Sequence, residues 1–132
     1  MVTAVDSSVL LDVLANDPTH GQASLDALRR AREAGALIIC PIVWAEIRGF
    51  FDDVGRMNCA FEDAAISFDP FDRECANLAG ERWRDYRRGG GSRTRLMADF
   101  LIGAHAMLRA GRLLTRDRGF FRRYFAGLVI VA

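Results

Sequence analysis

The chain has no lysine: all 18 of its Lys-plus-Arg positions are arginine. Cysteine is scarce, and Cys40, Cys59 and Cys75 form no Cys-x-x-Cys pair. An odd, unpatterned set excludes a disulfide framework and a cysteine-based zinc site, and predicts reduced thiols and a cytoplasmic setting. Only His20 and His105 could offer imidazole. No run of roughly 18 apolar residues occurs, which excludes a membrane-spanning helix. The apolar opening Met1–Leu14 carries Asp6 and Asp12 and no basic residue, unlike a signal peptide. No internal repeat or long linker divides the chain, so its 132 residues are expected to form a single domain, 1–132.

What is present is a globular composition, 51% hydrophobic and 27% charged. The net charge of +1 conceals an asymmetry. Residues 1–81 hold 6 Arg against 14 acids, a balance of −8, while residues 82–132 hold 12 Arg against 3 acids, a balance of +9. A basic half is one signature of nucleic-acid binding, and arginine suits bidentate phosphate contacts. A compositional preference for arginine would give the same count.

Residues 2–5 read as a strand ending at Asp6, and 7–16 as a helix with Val9, Leu10, Val13 and Leu14 on one face. Thr19 is expected to cap a second helix to Ala34, stopped by Gly35. Residues 37–39 read as a strand, and a third helix is expected from Pro41 to about Val54. A short helix over 59–66, a strand or connection at Phe68 and a long helix over 72–88 follow. Gly89-Gly90-Gly91-Ser92 reads as a loop. The remainder reads as a helix over 95–110, a brief strand at 113–114, a helix over 118–125 and a closing strand at 128–131. This alternation predicts an α/β fold: a three-layer α/β/α sandwich around a mostly parallel sheet.

Four acids stand where a core should not tolerate them. Asp99 interrupts Leu96–Leu108, a helix otherwise apolar all round except for His105, and so expected to be buried. It is either paired, with Arg95 or Arg116, or part of a charged site. Glu46 interrupts the face made by Ile42, Val43 and Phe50; its bland alternative is an arginine-paired residue at the edge of that face. Asp6 and Asp117 each follow a short apolar run. Either could merely cap a helix, but in an open parallel sheet ligands bind beyond the carboxyl ends of strands. If strands 2–5 and 112–115 are neighbours, both face one crevice. Clustered carboxylates without His or Cys ligands suit a hard ion such as Mg²⁺ or Mn²⁺. His105 lies about 120° around the helix from Asp99 and reads as a hydrogen-bonded core residue.

Together these segments resemble the PIN-domain family, and within it the VapC-type toxins of bacterial toxin–antitoxin pairs. The resemblance is carried by V-D-S-S-V-L-L-D with Asp6 and Ser8, P-I-V-W-A-E-I with Glu46, A-D-F-L-I-G-A-H-A with Asp99, and L-L-T-R-D-R-G-F with Thr115 and Asp117. Each motif alone is weak; four in order across the chain are specific. The resemblance implies a PIN-like fold and a metal-dependent ribonuclease with Asp6, Glu46, Asp99 and Asp117 as catalytic residues. Asp6, Asp99 and Asp117 would bind Mg²⁺ or Mn²⁺, Glu46 would orient or deprotonate water, and Ser8 and Thr115 would steady the acids. It also implies a homodimer and a small VapB-like antitoxin. Arg93, Arg95, Arg116 and Arg118 are placed to hold RNA phosphates, or an acidic antitoxin tail. The alternative is a non-catalytic RNA- or protein-binding module of the same fold. A haloacid-dehalogenase-like phosphatase is excluded by Ser8, which stands where a second Asp is needed. A phosphoreceiver is excluded by the missing lysine.

Overall fold

A computed structural model of the chain describes residues 1–92 and 95–131. Five strands form one sheet: β1 (Val2–Val5), β2 (Ala36–Ile39), β3 (Ile66–Phe68), β4 (Arg112–Leu114) and β5 (Val129–Val131). Among the described residues seven helices connect them: α1 (Ser7–Leu14), α2 (Gly21–Ala34), α3 (Pro41–Arg48), α4 (Val54–Asp63), α5 (Arg73–Arg88), α6 (Met97–Arg109) and α7 (Arg118–Tyr124). The strand order is β3-β2-β1-β4-β5, and every pairing is parallel. The expected sandwich is therefore present, with its sheet parallel throughout.

Right-handed crossovers force the layering. The chain steps outward from β1 to β2 and β3, then returns to the other side of β1 for β4 and β5. The helices of the two excursions must cover opposite faces. Accordingly α1 packs on α2 and α5 on α6, while α2 meets β2 and β4 and α6 meets β1 and β4. Both faces of β1 are dry: Thr3, Ala4 and Val5 are all buried. That two-sided burial explains why the central strands read as unbroken apolar runs rather than as alternation. The strand order reverses between β1 and β4, so the crevice beyond their carboxyl ends is the switch point of the sheet.

The structure corrects several boundaries. The third helix stops at Arg48, and a separate helix begins at Val54, because the Asp53 carboxylate accepts a hydrogen bond from the Arg56 amide (2.9 Å) and caps a new start. Ile66 lies in β3, not in a helix; Ala65, with φ of 56°, turns the chain out of α4. Thr19 does not cap α2: the N-cap is His20, without a side-chain capping bond, and Asp17 braces the preceding turn, accepting from the amides of Thr19 (3.1 Å) and His20 (2.6 Å). Helix α6 is not buried all round: Phe100, Ile102, Ala104 and His105 face the interior, but Leu108 is 44% exposed.

The inner face of α6 organises the second layer. Phe100, fully buried, packs edge-on against Trp83 of α5 (5.4 Å between centroids) and Phe120 of α7 (5.2 Å). Gly103 lets Phe125 lie directly on the helix; a Cβ there would stand 2.4 Å from the ring. His105 behaves as the core histidine expected from its spacing. Its Nε2 pairs with the Asp69 carboxylate at 2.8 Å, and Arg109 holds the same carboxylate through two hydrogen bonds of 3.0 and 3.1 Å. Asp69 directly follows β3 and donates its amide to Ile39 (2.8 Å), so this triad clamps α6 to the carboxyl edge of the sheet.

The Arg109 hydrogen bonds, with help from His105, hold the Asp69 pKa below the ordinary carboxylate value. Its stabilisation is therefore complete above the unfolded carboxyl's pKa and lost as pH falls through the folded one. Asp69→Asn should cost about 1–3 kcal/mol near neutrality, read from urea midpoints, and the gap from wild type should close as pH falls below about 4. A gap of constant size down to about pH 3 would show that the Asp69 charge contributes nothing.

Candidate functional site

Asp6 leaves β1 at the switch point, and its amide continues the ladder to the Leu114 carbonyl of β4 at 2.9 Å. Its carboxylate caps α1, with Oδ1 accepting from the Ser7 amide at 2.8 Å. Oδ2 accepts from the hydroxyls of Thr115 (2.6 Å) and Ser8 (3.2 Å). Capping and site membership are thus compatible: the cap uses one oxygen and fixes the rotamer of the whole group. Asp6 is only 7% exposed. Burial raises its pKa despite the bonds from Thr115, Ser7 and Ser8, and the negative charge of Asp99 adds to the rise.

Glu46 comes from the last turns of α3, whose buried Val43 and Ile47 anchor the helix. Its side chain stands at the exposed edge of that face and accepts from the Ser7 hydroxyl at 3.1 Å. The Ser7 hydroxyl also lies 3.5 Å from Asp6 Oδ1, so its one proton stands between two carboxylates and can serve only one of them at a time. Sequence reasoning singled out Ser8 and passed over Ser7; the only available signal was its position one residue after Asp6. Desolvation around the Glu46 carboxyl raises its pKa, and Asp6 and Asp99 raise it further. No ion pair to arginine engages Glu46 or Asp6 among the described residues.

Asp99 sits in the first turn of α6, where the helix dipole favours a negative charge. It accepts from the Leu96 amide at 3.3 Å. Its side chain is 32% exposed, so its burial is less costly than the sequence suggested. Asp117 follows β4 and precedes α7, with its amide on the Thr115 hydroxyl at 3.0 Å. Thr115 thereby ties Asp6 to the backbone that carries Asp117. The Asp117 side chain makes no capping hydrogen bond. It is instead gripped by Arg95, whose Nη1 and Nη2 donate to its two oxygens. Arg95 also stands 3.9 Å from Asp99 and lies over the Phe120 ring at 4.2 Å.

The other proposed phosphate-binding arginines divide. Arg116 forms a two-point pair with Asp12, at 2.6 and 3.0 Å, and Asp12 also accepts from Ser24 at 2.7 Å. Burial works against ionisation of Asp12, but the bonds from Arg116 and Ser24 outweigh it and lower its pKa. Arg116 is thus committed to a buried carboxylate that sequence reasoning did not single out. Arg118 is exposed beside the crevice, and Arg93 lies outside the described residues.

Asp6, Glu46 and Asp99 therefore converge electrostatically on one end of the sheet, while Asp117 is held by Arg95. Among the described residues no three His, Cys, Asp or Glu side chains stand close enough to enclose a metal ion. The chemistry of the donors still fits a hard divalent cation: all are carboxylate oxygens, and Asp6 and Glu46 are desolvated next to like charge.

Among curated protein sequences none matches this chain significantly. In fold the chain is similar to a chain of the VapBC2 complex from Rickettsia felis, solved bound to a fragment of promoter DNA. The TM-score is 0.77 at 17% identity, over 98% of this chain and 97% of that one. It is similar to a chain of VapBC-1 from nontypeable Haemophilus influenzae, with a TM-score of 0.75 at 16% identity, over 98% and 96% of the two chains. It also resembles a chain of FitAcB from Neisseria gonorrhoeae, with a TM-score of 0.64 at 21% identity, over 100% and 97%. The PIN domain family profile matches residues 3–126, an interval that contains all four acids. The chain belongs to the PIN domain family.

Proposed function

We propose that this protein is a divalent-metal-dependent endoribonuclease, of the VapC type, acting as the toxin of a toxin–antitoxin pair. The observation that carries the reading is the pair of desolvated carboxyls, Asp6 and Glu46, beside the charge of Asp99 at the sheet's switch point, with no arginine paired to Asp6 or Glu46 among the described residues. Family membership and the fold shared with chains of toxin–antitoxin complexes support it. Burying like charges costs stability, and a cation that bridges them recovers that cost.

Asp6 and Asp99 are the main ligands in this reading, for Mg²⁺ or Mn²⁺. Asp117 joins them on giving up Arg95, which is then free to meet a phosphate. A bound ion would supply a more acidic water and a Lewis acid for a phosphate oxygen. The chain's own groups do the positioning. Ser7, Ser8 and Thr115 fix Asp6, and Ser7 sets the distance between Asp6 and Glu46. Glu46, with its raised pKa and partial exposure, is placed to accept a proton from the attacking water. The reading carries with it a small VapB-like antitoxin, a homodimer and a cytoplasmic setting.

One observation favours the non-catalytic alternative, a binding module of the same fold: Arg95 already satisfies Asp117. Cleavage separates the two. Purified protein should cut a structured RNA in Mn²⁺ or Mg²⁺ and stop on EDTA. Asp99→Asn should lower the rate at least about a hundredfold without loss of fold; cleavage at the wild-type rate would reject the site.

A second measurement needs no turnover. Mn²⁺ should raise the melting temperature, since a ligand of the native state stabilises it by mass action. The rise should shrink in Asp99→Asn, and an equal rise in both proteins would place the ion elsewhere. For the toxin role, expression should arrest growth, and co-expression of a small neighbouring gene should relieve it. Unimpeded growth would leave a nuclease without a toxin's effect.

A further inference from the structure

The arginines of the basic half are not scattered. At about 100° per residue, the outer half of α7 consists of Arg118, Gly119, Arg122 and Arg123, all exposed, while Phe120, Phe121 and Phe125 fill the inner half. Gly119 adds no bulk to this face, and packing does not require it, because a Cβ there would meet nothing within 4 Å. Helix α5 ends beside α7: Tyr86 stacks edge-on against Tyr124 at 5.3 Å, and Arg82 and Arg123 line one cleft. Arg87 and Arg88, both exposed, add positive charge to the last turn of α5.

The acids of this half are already engaged. Asp85 lies 4.0 Å from Arg82, and Asp99 and Asp117 both face Arg95. Among the described residues Arg118, Arg122 and Arg123 have no carboxylate partner; Arg123 only lies over the Tyr124 ring at 5.3 Å. Three like charges on one short helix repel each other; the helix dipole favours Arg122 and Arg123 in the last turn, but no carboxylate among the described residues neutralises the three. An anionic partner does. The row also has a direction. Arg118 follows Asp117 at the acidic crevice, and Arg122 stands one turn further out, about 6 Å along the axis. That step is comparable with the distance between successive phosphates of a nucleic-acid strand.

We propose that the outer face of α7 and the last turns of α5 form a track for the backbone of single-stranded RNA, leading to the carboxylates at the switch point. The track rests on the ribonuclease reading for what lies at its end, but its existence is separately measurable. It requires no base recognition: the arginines along it hold phosphates without reading sequence, although Asp85 and Tyr124 share the cleft of Arg82 and Arg123.

The test is binding of a fluorescein-labelled single-stranded RNA to the full chain in EDTA, by anisotropy, across a salt series. Replacing Arg122 and Arg123 together by Gln should weaken binding. It should also make the slope of log K against log salt shallower by about 1.4, at roughly 0.7 per lost single-strand contact. Between about 50 and 200 mM salt the wild type should lose about sevenfold more affinity than the variant. The control is Arg29→Gln with Arg32→Gln, an equal charge change at exposed positions of α2, which should leave the slope unaltered. Equal effects from the two pairs would overturn the track in favour of bulk charge, and so would no effect from either. Loss of binding to a polyglutamate peptide, with RNA binding intact, would reassign the face to an acidic protein segment. Should the α7 pair fail to fold, Arg87→Gln with Arg88→Gln carries the same test on α5. RNA binding with the expected slope but no cleavage in Mn²⁺ would sink the ribonuclease reading and leave the track. Cleavage and binding unchanged in the α7 variant would do the reverse.

Discussion

The Thr115 hydroxyl, donating to Asp6 at 2.6 Å, joins the two strands on which the site is built. It can form because β1 and β4 are adjacent and parallel at the centre of the sheet, with their carboxyl ends on the same edge. Thr115 has no exposed surface, so the bond is shielded from water and strong for its kind. The same hydroxyl receives the Asp117 amide, and Asp6 in turn caps α1 and orders Ser7 and Ser8. Glu46 and the entry to α1 are therefore located relative to Asp6. Removing the strand adjacency would disperse the site even if every acid remained.

Charge is managed around this centre in two ways. Asp12, Asp69 and Asp117 each receive a two-point arginine grip, which turns them into structural ties between distant segments. Among the described residues Asp6 and Glu46 receive only neutral donors, and both lie near Asp99, so burial and like charge raise their pKa values. The first treatment stabilises the fold. The second stores unfavourable electrostatics at one point on the surface, an arrangement often found where chemistry is done. The leftover arginines, gathered on α7 and the end of α5, give the protein a positive face beside its negative crevice.

Much of this was legible in the residues. Apolar runs broken by Gly, Pro and Asp gave the order of strands and helices. The four acids stood out because each interrupted an apolar pattern or ended one. Boundaries between α3 and α4 were misplaced because Asp53 caps through a side-chain bond that hydrophobic periodicity does not register. The burial of α6 was overstated, since an apolar outer face looks the same in sequence as an apolar inner one. Asp12 passed unremarked at the polar end of a helix, although Arg116, 104 residues away, holds it in the folded chain.

By itself the sequence determined which side chains were available: carboxylates without His or Cys beside them, and a basic half made of arginine alone. It also determined local periodicity, because helix and strand formation depend on neighbours a few residues apart. Only the tertiary structure decided which acids remain free and which are gripped. That choice depends on where Arg95, Arg109 and Arg116 reach after the strands reorder as β3-β2-β1-β4-β5. Pairing is a matter of distance in space, and a chain that returns to its first strand after more than a hundred residues does not write that distance into its spacing.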